Sequence, residues 1–209
     1  MRVMAASRSP LPHGYRSVMT SRPTAAEIEA AKDRTIPDVV PPRGGVLLCG
    51  INPGLYSAAT GRHFARPGNR FWPALHRSGF TDRLLTPAEQ HLLPSYGLGV
   101  TNLAARATAT AAELAPAELT EGGRILEEFV RRHAPRMLAV LGVTAYRTAF
   151  GRKKAAIGPQ DVTLGGARLW ILPNPSGLNA HYTADTLAAE FRLLRSATSD
   201  AATSDAVTT

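Results

Sequence analysis

Two asparagines in this 209-residue chain stand where an apolar run meets a proline. One is Asn52 in Gly50-Ile51-Asn52-Pro53-Gly54, the other Asn174 in Pro173-Asn174-Pro175-Ser176-Gly177-Leu178-Asn179. Proline has no N–H for a strand ladder and confines the residue before it to an extended conformation. Each run therefore ends on a polar side chain at its tip. A carboxamide both donates and accepts, so it can orient a water or a polar ligand edge, but it does not take a proton as a carboxylate does. Gly50 and Gly54 let a small ligand approach the backbone. Phe64, after a loop of small residues, adds a flat apolar surface beside the polar one.

Apolar runs bounded by turn residues supply the elements that carry these groups. Val46–Cys49 reads as a buried strand leading into the first turn, and Arg168–Leu172 as the strand leading into the second. Gly97–Leu103, ending in Thr101 and Asn102, and Met137–Leu141 are two further strands, the last continuously apolar as buried parallel strands are. Helices are expected over Asn69–Ser78, over Thr86–Leu93 behind a Thr-Pro-Ala-Glu opening, and over Pro116–His133 with Ile125, Phe129 and Val130 inward. Two more are expected over Thr144–Phe150 and Ala184–Arg195. Strands alternating with helices imply an α/β fold, a three-layer αβα sandwich around a mainly parallel, four-stranded central sheet. Both Asn-Pro turns then fall on one edge of that sheet, where ligands bind in open α/β folds.

The length suits one sizeable core with tails. Residues 1–43 read as a mobile basic arm with one short helical patch capped by Thr24 and Glu27, 44–196 as the folded domain, and 197–209, with its repeated ATSDA, as a disordered tail. The formal charge of +8 suits a polyanionic partner, though a solvated basic surface accounts for it equally. The single cysteine, Cys49, lies inside an apolar strand and fits a small buried hydrophobe in a reducing, cytoplasmic setting. No apolar run approaches the ~20 residues of a membrane span. The histidines show no metal-ligand spacing, so no metal and no cofactor are expected. Leu178 either packs under the closing helix or stands out as the kind of apolar wedge that opens a base stack.

Gly50-Ile51-Asn52-Pro53-Gly54, a loop to Phe64, Asn69-Arg70-Phe71-Trp72 and the later Asn174-Pro175-Ser176-Gly177-Leu178 together resemble the mismatch-specific uracil-DNA glycosylases and their thymine-DNA glycosylase relatives. The resemblance covers roughly residues 44–195 and implies a monomeric base-excision enzyme acting on double-stranded DNA with G:U mismatches. It assigns Asn52 to the attacking water and Phe64 to stacking on a flipped uracil. Gly50, Ile51, Pro53, Gly54, Ser57, Asn69, Asn102 and Asn174 would bind the extruded nucleotide. Leu178 would fill the vacated space, with Ser176, Gly177 and Asn179 against the widowed guanine. Related uracil-excising families carry aspartate in the first motif and histidine in the second, so the two asparagines point to the mismatch branch. Ala180 stands where an arginine would add a second wedge contact.

The chemistry agrees with that outline. Flipping a base costs a few kcal/mol, least at a mismatch, and stacking on Phe64 returns roughly 1–3 kcal/mol. Without a carboxylate in either motif the enzyme is expected to be slow and to rely on stabilising the departing base. Asp82, the nearest downstream carboxylate, is either an auxiliary group at the pocket rim or an ordinary turn residue. Two other classes remain open: a protein that flips lesions without cutting, and a small nucleotide binder. Against the latter, the first turn lacks the lysine of a phosphate-binding loop.

Overall fold

The computed structural model describes residues 22–205. Five strands form one sheet: β1 (Val46–Gly50), β2 (Leu98–Asn102), β3 (Met137–Leu141), β4 (Gly158–Leu164) and β5 (Ala167–Leu172), in the order β2-β1-β3-β5-β4. All neighbours are parallel except β4, which runs antiparallel on β5. The sheet is thus the expected mainly parallel one with a fifth strand added to the four read from the sequence. β4 is half polar and contains Pro159, and it joins β5 through Gly165-Gly166, both at positive φ. A two-residue Gly-Gly connection is a hairpin signal, and an outer strand tolerates proline.

Alternation of side chains splits the strands into two apolar faces. Val46, Leu48, Met137, Ala139, Leu141 and Leu172 pack against α3 (Phe71–Arg77) and α6 (Ala184–Asp205). Leu47, Cys49, Leu138, Val140, Leu169 and Ile171 pack against α4 (Pro116–His133) and α5 (Val143–Phe150). Leu187, Phe191 and Leu194 of α6 are fully buried, spaced as one helical face requires. In α4 the inward residues are Leu119, Leu126 and Val130, whereas Ile125, expected inward, is 53% exposed. Neighbouring helical positions differ by about 100° in direction, so Leu126 and Ile125 cannot both face the sheet. Cys49 is buried in this second layer, and burial pushes its thiol pKa up.

Four regions differ from the sequence reading. The region expected as a helix over Thr86–Leu93 is a 3-10 helix over Pro87–Tyr96, with Glu89 reaching back to the Thr86 N–H. The small-residue loop after Pro53 contains α2 (Leu55–Thr60), closed by Gly61 in the left-handed region. The described part of the arm is docked on the domain. α1 (Ala25–Glu29) has the Thr24–Glu27 capping box; beyond it Ala31 and Ile36 are buried, and Val39 exchanges both backbone hydrogen bonds with Val100. Val39 thereby covers the free edge of β2, and Pro41 beside Gly99 stops further pairing. At the other end α6 continues through Asp205, past the boundary expected at 196; Met1–Ser21 and the last four residues of the tail lie outside the described residues.

Candidate active site

The parallel strands deliver their loops to one edge, and a cavity of about 370 Å³ opens there. Of the residues singled out in the sequence, it brings together Ile51, Asn52, Pro53, Gly54, Ser57, Phe64, Asn69, Asn102, Asn174, Ser176, Leu178 and Asn179. It lies beyond the carboxyl ends of β1 and β3, where the strand order reverses, with Leu141 of β3 in its wall.

Asn52 is fixed by contacts remote in sequence. Its Nδ2 donates to the carbonyls of Pro53 (3.2 Å) and Arg106 (3.1 Å) and to Thr108 Oγ1 (2.7 Å). The two carbonyls can only accept, so the amide nitrogen must face them. Oδ1 is then left as the acceptor for the cavity, and no donor among the described residues reaches it. Thr108 is buried and donates its O–H to the Thr110 carbonyl at 2.7 Å, so its oxygen is held as an acceptor for Asn52. Arg106 is anchored in turn by Glu118 (2.5 Å) and Asp33 (3.1 Å). This pairing holds the Glu118 carboxyl down at about 2. An acceptor with a fixed direction can take one O–H of a water and aim the oxygen lone pair at a neighbouring electrophilic carbon.

Phe64 is stacked on Phe71, ring centroids 4.0 Å apart and planes 20° off parallel, and also lines the cavity. One face rests on the core and the ring borders the space a planar ligand would enter. Its φ of 53° is unusual for a residue with a side chain, and such strain is concentrated at functional sites. Gly50 lies beneath the same ring: a Cβ there would stand 2.5 Å from Asn102 Oδ1 and 3.1 Å from Phe64 Cζ. Ser57 is buried, its Oγ accepting from the Ala65 N–H at 3.0 Å, so it ties α2 to the segment bearing Phe64. Asn69 Oδ1 accepts from the Phe71 N–H at 2.9 Å and opens α3.

Sequence reasoning missed Thr108 and the role of His63. His63 is only 2% exposed; its Nε2 lies 3.0 Å from the Pro37 carbonyl and its Nδ1 3.4 Å from Asn102 Nδ2. Burial lowers its pKa, with the Pro37 hydrogen bond and the Asp38 charge opposing. In the neutral ring Nε2–H donates to Pro37, so Nδ1 accepts from Asn102. The Asn102 amide is thereby oriented with Oδ1 over Gly50. Neither contact has a local signal, since 39 residues separate His63 from Asn102 and 56 separate Asn52 from Thr108.

The second Asn-Pro turn is built from its own side chains. Asn174 Oδ1 accepts from the Ser176 N–H (3.0 Å), Ser176 Oγ from the Leu178 N–H (3.3 Å), and Asn179 Nδ2 donates to the Asn174 carbonyl (3.0 Å). A Cβ on Gly177 would meet the Gly68 carbonyl at 2.6 Å, so only glycine fits this approach. Leu178 is 72% exposed at the cavity rim, which removes the alternative that it packs under α6.

Asp82 is not brought to the cavity. It is exposed and accepts from the Tyr96 hydroxyl at 2.5 Å. Tyr96 precedes β2, roughly 20 Å of strand away from the cavity edge, so Asp82 is a turn residue at the opposite edge of the sheet. Among the described residues no carboxylate and no lysine lines the cavity, and Arg66 is the one cationic side chain in its wall. Among the described residues no three His, Cys, Asp or Glu side chains gather as a metal site, and no helix is long and apolar enough to cross a membrane.

The arrangement can therefore hold a planar ring, direct a neutral water and present a solvent-exposed leucine beside both. Residues 37–197, most of the chain, match the model of the uracil DNA glycosylase superfamily. The chain belongs to the uracil DNA glycosylase superfamily, the DNA-repair glycosylases that hydrolyse a base from DNA.

Proposed function

We propose that the chain is a monofunctional glycosylase that excises uracil mispaired with guanine from double-stranded DNA by base flipping. The observation that carries this reading is the coexistence of an uncharged Asn52 in the cavity and a Leu178 that is 72% exposed on its rim. Leu178 enters the duplex, and a G:U pair, being a mismatch, yields the flipped base at least cost. The uracil stacks on Phe64, and Asn52 Oδ1 orients the water that attacks the anomeric carbon. Because no carboxylate among the described residues lines the cavity, the water keeps its proton until the glycosidic bond is largely broken. The rate then depends on stabilising the departing uracil anion by fixed donors. A Schiff base requires an amine, and the lack of a lysine among the described residues of the cavity wall supports hydrolysis without strand cleavage. Thymine adds one methyl group, a difference of about 1–3 kcal/mol in a fitted pocket.

The same lack of a carboxylate also favours a second reading, a lesion-binding protein that flips without cutting. Both are tested by incubating the protein with end-labelled duplex containing G:U, G:T or A:U, followed by alkali. Breaks at G:U exceeding those at A:U and G:T support the mismatch-specific enzyme. Equal cutting of all uracil substrates overturns the mismatch preference, and tight binding without breaks favours the second reading.

A further inference from the structure

We propose that Arg70 is a positioning residue that clamps the Leu178 turn to α3, whose Phe71 supports the Phe64 ring, so that wedge and pocket move as one unit. The inference rests on the base-flipping reading above. Arg70 immediately precedes α3, and its backbone N–H donates to the Pro175 carbonyl at 2.9 Å. Its guanidinium reaches three more carbonyls of the same loop: Nη1 donates to Asn179 (2.9 Å) and Tyr182, and Nη2 to Gly177 (3.1 Å). The internal hydrogen bonds of the turn shape it locally, but they do not tie it to the body of the domain. Arg70 does so through four carbonyls, and two of them belong to the residues on either side of Leu178.

This choice of partners is informative. No acidic side chain among the described residues forms a salt bridge with Arg70, so its charge is directed at backbone oxygens. Such charge-assisted hydrogen bonds are roughly twice as strong as neutral ones. An exposed leucine can separate stacked bases only if its backbone resists being pushed back, since unstacking a step costs a few kcal/mol. Holding the carbonyls at 177 and 179 supplies that resistance, and Gly68 against Gly177 closes the other side. The next residue, Phe71, is the ring beneath Phe64. Adjacent residues thus fix the wedge and the stacking platform. A lysine, a point charge on a flexible stem, cannot span the same carbonyls.

The test compares wild type, Arg70→Gln, Arg70→Lys, Leu178→Ala and the Arg70→Gln/Leu178→Ala double variant. Three readouts are used: kcat/KM on G:U duplex and on single-stranded uracil DNA, fluorescence of 2-aminopurine placed beside the mismatch, and hydrogen exchange of amides 176–182 in the free protein. Arg70→Gln is expected to lose 10-fold or more on duplex and less than 3-fold on single strands. It should add less than 3-fold to Leu178→Ala, because coupled residues are not additive, and loop exchange should accelerate at least 10-fold. Arg70→Lys, which retains the charge and gives a folded reference should the glutamine variant unfold, is expected to fall between wild type and Arg70→Gln on duplex. Equal losses on both substrates, full additivity with Leu178→Ala, or unchanged exchange would each overturn the clamp. Wild type that brightens 2-aminopurine without cutting sinks the excision reading alone, and loss of that signal in Arg70→Gln still supports the clamp. Wild type that does neither overturns both.

Discussion

Replacing Asn52 by aspartate tests whether the Arg106–Thr108 wall fixes this side chain. The substitution is nearly isosteric, but it puts an oxygen where Nδ2 now donates to the carbonyls of Pro53 at 3.2 Å and Arg106 at 3.1 Å. Losing two net hydrogen bonds of ~0.5–1.5 kcal/mol each removes about 1–3 kcal/mol. At roughly 2–4 °C per kcal/mol for a chain of this size, the thermal midpoint at pH 8 should drop by about 2–12 °C. An ionised carboxylate facing two carbonyl oxygens is disfavoured, so the folded-state pKa of the new acid rises above its unfolded value of about 3.9. The neutral acid can still donate one O–H to a carbonyl. Its contribution is therefore present below the unfolded pKa and lost as pH rises through the folded one. Differential scanning calorimetry of both proteins from pH 4.5 to 8 should show a small gap at the acid end that widens to a plateau. If the carboxylate instead swings into the cavity, the gap will be independent of pH and excision from G:U duplex will rise; that result would refute the assigned constraint on Asn52.

Three further outcomes follow from the same geometry. Thr108→Val keeps the shape but removes the acceptor held 2.7 Å from Asn52 Nδ2; the expected cost is ~1–2 kcal/mol of stability and a roughly 10-fold slower single-turnover excision, matching 1.4 kcal/mol of lost positioning. Leu178→Ala should lower kcat/KM on G:U duplex more than on single strands, with no change in stability beyond about 0.5 kcal/mol because the side chain is exposed; equal losses on both substrates would remove the wedge role. His63 gives a pH signature: burial lowers its folded pKa, so stability is full above the unfolded value near 6.5 and falls as pH drops below it, by up to ~1.4 kcal/mol per unit. Glu89 and Glu118, each held at about 2 by an arginine and by capping bonds, lose their contribution only below the ordinary carboxylate range of about 4. Denaturant titrations between pH 4.5 and 6.5 should therefore isolate His63, and His63→Gln should flatten the slope there.

The parts of this protein that sequence alone determined are those encoded by neighbouring residues. Continuous apolar runs specified β1, β3 and β5, the Thr24–Glu27 spacing specified a cap, and Asn-Pro at the end of two parallel strands placed Asn52 and Asn174 on one edge of the sheet. What tertiary structure decided lay where a residue's meaning depends on a distant partner. The half-polar β4 offers the core only the partly buried Val162 and Leu164 and becomes a strand by pairing with β5. The segment from 22 to 43 looked like a solvated arm because its few apolar residues are recruited singly, Val39 to the edge of β2 and Pro37 to His63. Asp82 was near the site in sequence and lies at the far edge in space, whereas Thr108, without any motif, stands 2.7 Å from Asn52. The exposure of Leu178 is undecidable from composition, since leucine is at home in a core, and it is decided by a turn whose own side chains and Arg70 hold it with Leu178 outward. Strand tips are local chemistry, and the groups that orient what stands on them are recruited from other loops by the packing of the sheet.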